Sequence, residues 1–181
     1  MDPRDQLDEI LPRLTALVAG LDDAQFKAPT PCQKFAVRDV IEHMIGGASM
    51  FAAAFRGEKP VEPSVGGDRR AAFGAAMTQL REALDAPDAL GRTIHSPFGD
   101  MPGDAFARLV AMDGLIHGWD IATATKQPYN PPSDVVAAVD SFARQALTDD
   151  LRDGDTFAAA VEAAADASPM IRLAAFTGRK V

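Results

Sequence analysis

The chain has 181 residues, 47% of them hydrophobic and 24% charged, enough to build one substantial core. Its net charge of −8, with Arg and Lys scattered singly, argues against a nucleic-acid or anionic-membrane partner, because both need a basic patch. One cysteine, Cys32, excludes an intrachain disulfide, and no apolar run is long enough to span a bilayer.

In chain order, Asp2 and Pro3 form a helix start, with Asp as N-cap and Pro at the first position. Ile10, Leu11, Leu14, Leu17 and Val18 recur at helical spacing until Gly20. A second helix runs through Val37, Val40, Ile41, Met44, Ile45, Ala48, Phe51 and Phe55, followed by the Pro/Gly-rich loop RGEKPVEPSVGG. Asp68 opens a third through Phe73, Met77, Leu80 and Leu84. The turn-rich TIHSPFGDMPG (93–103) reads as a minor hairpin. A long fourth helix spans 104–126, and Ser133 and Asp134 are placed to cap a fifth through Val136, Val139, Phe142 and Leu147. DTFAAAVEA alternates weakly; Ser168, Pro169 and Gly178 then bracket a short terminal helix. With no repeat and no internal boundary, the expectation is an all-α single domain over 1–181: a helical bundle with an extra helix and a short C-terminal tail. The acidic N-terminus lacks the apolar core of a signal peptide, so the expected location is cytoplasmic.

The fourth helix carries polar residues where its core stripe should be. Phe106, Leu109, Val110, Ile116 and Trp119 set that stripe, and DGLIHGWDIA (113–122) places Asp113, His117 and Asp120 within it. At 100° per residue, His117 lies about 40° and Asp120 about 20° from Asp113. A buried carboxylate must be paired, protonated or bound to a cation. His43 stands at the edge of the second helix's apolar face, beside Gly46 and Gly47, which suggests a close approach of a helix or ligand there. His43, Asp113 and His117 could thus provide three ligands of a divalent cation with a fourth position open. The alternative is a core-edge histidine and a hydrogen-bonded Asp/His pair. His95 reads as exposed and Cys32 as a small buried residue.

TPCQKFAVRDVIEHMIGG (30–47) resembles the opening motif of the mycothiol-dependent maleylpyruvate isomerase N-terminal family of the DinB-like superfamily, approximately T-P-C-x-x-W-x-V-x-D-x-x-x-H. DGLIHGWDIATAT resembles the second motif, and the tail DASPMIRLAAFTGRKV resembles the closing segment of an actinobacterial branch. The resemblance implies a DinB-like four-helix bundle holding a divalent metal, usually zinc or nickel, on His43, Asp113 and His117. Phe35 replaces the usual Trp, Ala36 a frequent capping Thr, and Asp113 the longer Glu of the isomerase. That isomerase carries a further C-terminal domain, which this chain is expected to lack.

Two functions follow as expectations. The first is a metal-dependent enzyme, a transferase or isomerase, using a mycothiol-like thiol on a small molecule. Asp120 would orient a ligand, and Arg92, Arg172 and Arg179 are candidate donors to the thiol. The second is a metal-binding or sequestration module without catalysis. A homodimer through exposed bundle faces is compatible with either.

Overall fold

A computed structural model describes every residue except 33–34, 61–66, 97–98 and 153–156. Six α-helices and one two-stranded hairpin are present among the described residues. They are α1 (Pro3–Ala19), α2 (Val37–Arg56), α3 (Arg69–Ala83), β1 (Thr93–Ser96), β2 (Gly99–Pro102), α4 (Gly103–Thr125), α5 (Ser133–Ala146) and α6 (Pro169–Phe176). The bundle is DinB-like and all-α. α1 packs on α3 and α4, and α2 packs on the same two, closing a four-helix ring. α5 covers a further face of α4, and α6 packs on α5.

Local chemistry sets these elements. Asp2 Oδ1 accepts from the Arg4 N–H at 2.8 Å to start α1, and Ser168 Oγ accepts from the Ile171 N–H at 3.3 Å to start α6. α2 begins at Ala36, whose side chain cannot cap. Asp39 compensates in part, its carboxylate accepting the Ala36 N–H at 2.9 Å. The hairpin pairs antiparallel with Thr93 opposite Pro102 and His95 opposite Asp100.

α4 is buried around most of its circumference because α1, α2 and α5 all lie against it. Phe106, Val110, Ile116 and Ile121 join Leu7, Ile10, Leu14, Ile41, Phe55 and Phe73 in one core. Each such side chain contributes about 1.5–3 kcal/mol on burial.

Two expectations are corrected. Ser133 is not the N-cap of α5: Pro132 occupies that position, so Ser133 is already helical, while Asp134 Oδ1 accepts the Val135 N–H of the first turn at 3.0 Å. The described residues 157–163 of DTFAAAVEA form a loop, in which Val161 donates its N–H to the Ala175 carbonyl at 2.9 Å. Gly46 and Gly47 do not mark a helix contact. A Cβ on Gly46 would meet nothing within 4 Å, and one on Gly47 would meet only the Phe51 ring of its own helix at 3.3 Å. The close approach uses Gly114 and Gly118 of α4. A Cβ there would fall 3.2 Å from Ile10 Cγ2 and 2.5 Å from Tyr129 Oη respectively.

Candidate metal centre

His43 projects from α2 toward α4, while Asp113 and His117 project from successive turns of α4. The Asp113 Oδ1 atom stands 3.6 Å from His43 Nε2 and 3.5 Å from His117 Nε2. One ligand atom from each of the three residues lies within 4.8 Å of the others. Donors bound about 2.0–2.2 Å from one tetrahedral cation are separated by about 3.3–3.6 Å, so the donor types and both carboxylate–imidazole separations fit a small divalent ion. Side-chain exposure falls from 44% at His43 through 27% at Asp113 to 8% at His117, so the site opens on the α2 side.

The segment before α2 holds His43 in place. Thr30 donates its N–H to the Phe35 carbonyl at 3.2 Å, and its hydroxyl lies 2.7 Å from the same oxygen. Phe35 donates its N–H to the Cys32 carbonyl at 2.8 Å, and Val37 donates to Ala28 at 3.0 Å. This closed turn lays the Phe35 ring on the His43 imidazole, with centroids 5.7 Å apart and planes 28° from parallel. The physical role of the T-P-C-x-x-aromatic stretch is therefore to stack a ring against a candidate ligand. Spacing alone did not reveal it.

His117 is held from behind. Its Nδ1 lies 3.1 Å from Asp120 Oδ2, and Asp120 is fully buried. Arg179, also buried, donates from Nη2 to Asp120 Oδ2 at 3.0 Å and from Nε to Oδ1 at 3.4 Å. Arg179 thus sits behind Asp120 with its guanidinium committed to that carboxylate, and is not a donor left open to a thiol. Arg92 donates to the Pro87 carbonyl at 3.1 Å and lies against Gly57; Arg172 is exposed on α6. His95 is exposed and pairs with Asp100 at 2.7 Å, while Cys32 is half-buried, not buried.

The electrostatics follow from this crowding. Burial pushes the Asp113 carboxyl up, but His117, His43 and Arg179 outweigh it and hold the group below the ordinary carboxylate value. The Asp113 carboxylate holds the His43 imidazole above its ordinary value, against the opposing effects of burial and Arg179. Inward of Asp113, Leu14, Met44, Ala48 and Val110 line an apolar recess. The site therefore sets one ionised carboxylate between two imidazoles beside an apolar recess, with one accessible side.

No helix among the described residues is long and apolar enough to cross a membrane. No solved structure matches the chain. Its relatives include two uncharacterized proteins of Mycobacterium tuberculosis, MT0763 of strain CDC 1551 / Oshkosh and Rv0738 of strain ATCC 25618 / H37Rv. Each is 32% identical over 186 aligned positions covering 100% of both chains. The family described as the mycothiol maleylpyruvate isomerase N-terminal domain matches residues 7–122, a stretch that contains all three candidate ligands and Asp120 but not Arg179. With most of its length matched, the chain belongs to that family.

Proposed function

We propose that the protein binds one divalent cation, zinc or nickel, through His43, Asp113 and His117, and uses it with a small mycothiol-like thiol on a small-molecule substrate. The observation that carries this reading is the convergence of one carboxylate and two imidazoles, from two helices, within 4.8 Å and open on one side. A cation at such a site lowers the pKa of a thiol brought to its open position, supplying the thiolate nucleophile at neutral pH. The chain's own residues do the rest. Asp120 orients the His117 ring so that Nε2 faces Asp113, Phe35 stacks on the His43 ring, and apolar side chains line the recess beside the carboxylate.

One observation favours a second reading, a metal-binding or sequestration module without catalysis. Both Asp120 oxygens are engaged, by His117 and Arg179, so Asp120 does not serve as a general base. Metal analysis tests cation binding, and a thiol-transfer assay with mycothiol then separates the two readings. Turnover of any electrophile supports the enzyme. Stoichiometric metal without turnover across an electrophile panel supports the module. The cytoplasm is the proposed location.

A further inference from the structure

The segment from residue 157 to the C-terminus lies beyond the stretch matched by the family, yet it reaches the candidate metal centre. It is fastened at two places. At the first, the guanidiniums of Arg144 and Arg152 both lie over the Phe176 ring, 4.6 and 4.7 Å from its centroid. Arg152 Nη1 also donates to the carbonyls of Phe176 and Ala158, each at 3.0 Å, and Arg144 is anchored to Asp140 at 2.8 Å.

The second fastening is Arg179. After α6, Gly178 turns the chain at φ +88°, tucked so closely against Ala158 that a Cβ would fall 2.7 Å from the Ala158 methyl. That conformation and that space both require glycine. The turn carries Arg179 inward, where its N–H donates to the Ala174 carbonyl at 3.0 Å and its Nη1 to Thr177 at 3.2 Å. The guanidinium then meets Asp120, which in turn holds His117.

We infer that docking of this C-terminal segment and occupancy of the cation site are thermodynamically coupled, with Arg179 acting through Asp120 as a positioning residue for His117. The inference rests on the cation-binding reading above. Asp120 gripped from both sides gives the His117 ring one orientation; with Arg179 withdrawn, the carboxylate is held on one side only. A cation that favours this ring orientation also favours the docked segment, and the segment strengthens cation binding by the same factor.

The test is Zn²⁺ affinity by chelator competition, with hydrogen exchange over residues 169–181 measured with and without Zn²⁺. Phe176→Ala, whose side chain touches none of the three candidate ligands, and Arg179→Ala are each expected to weaken binding about 10-fold or more, in the range for outer partners of metal ligands. Phe176→Tyr is expected to restore it. Zn²⁺ is expected to slow exchange over 169–181. In Co²⁺-substituted protein, Arg179→Ala is expected to shift the visible absorption band, which a loss of stability alone leaves in place. Where Arg179→Ala does not fold, Phe176→Ala carries the test. Stoichiometric Zn²⁺ uptake with unchanged affinity in the folded variants and unchanged exchange would overturn the coupling alone. A wild-type protein that takes up no Zn²⁺ would overturn the cation reading and the coupling together.

Discussion

His117 and Asp120 meet at 3.1 Å, Nδ1 to Oδ2, three residues apart on one buried helix. An N–H on Nδ1 pointed at that carboxylate leaves the Nε2 lone pair facing Asp113, the tautomer a cation requires. Asp120→Asn keeps the shape but weakens this bond and leaves Arg179 without its counter-charge. The expected result is a loss of about 10–100-fold in Zn²⁺ affinity, read by chelator competition. Asp120→Ala is expected to cost folding stability as well, about 3–5 kcal/mol, because the Arg179 charge would be buried without a counter-charge.

A pH dependence of opposite sense is expected below the ordinary carboxylate value and above the ordinary histidine value. His43 is held above the ordinary histidine value of 6.5, so it stabilises the metal-free fold fully below that value and less as pH rises through its raised value. Asp113 is held below the ordinary 3.8; its contribution is present above that value and is lost as pH falls through the lowered one. Denaturant melts in chelator from pH 2 to 9 are expected to show these two contributions greatest together between pH 3.8 and 6.5, with the decline above 6.5 absent in His43→Gln. Zn²⁺ must displace the His43 proton, so its apparent affinity is expected to climb with pH beyond 6.5, by at most about tenfold per unit for one proton.

Phe35→Ala removes the ring stacked on His43 and frees the most exposed of the three candidate ligands. A drop of several-fold in Zn²⁺ affinity is expected. The accompanying stability loss is about 0.5–1.5 kcal/mol beyond the lost burial. Phe35→Trp, which restores the aromatic more usual in the family motif, is expected to bind at least as tightly as wild type.

Gly118→Ala tests the packing of α4. The added Cβ would fall 2.5 Å from Tyr129 Oη and 2.8 Å from Leu14 Cδ2, two contacts too short to hold. Overpacking of this kind costs about 1–3 kcal/mol, which lowers Tm by about 2–12 °C in a domain of this size. Gly46→Ala, with nothing within 4 Å, is expected instead to raise Tm slightly through helix propensity.

The helices were legible because most bury one stripe, and Asp113, His117 and His43 were conspicuous because they interrupt apolar faces. Their convergence could be anticipated from two motifs on different helices. Arg179 could be named as a candidate donor to a thiol but not placed behind Asp120, since 59 residues separate the two. The glycines misled for a related reason: sequence shows where Cβ is absent, not which neighbour fills the space. At α5 the extended Pro132 took the capping position and displaced Ser133 into the helix, a backbone effect that the preference of Ser for N-caps does not reveal.

The most direct test of the central claim is the metal content of the purified protein and of two single-ligand variants, after equilibration with Zn²⁺ or Ni²⁺ and removal of loose metal. One divalent ion per chain is expected in the wild type, with the ion absent from His43→Ala and His117→Ala while both retain their helical circular dichroism. A wild-type protein that retains no metal, or variants that retain as much as the wild type, would contradict it.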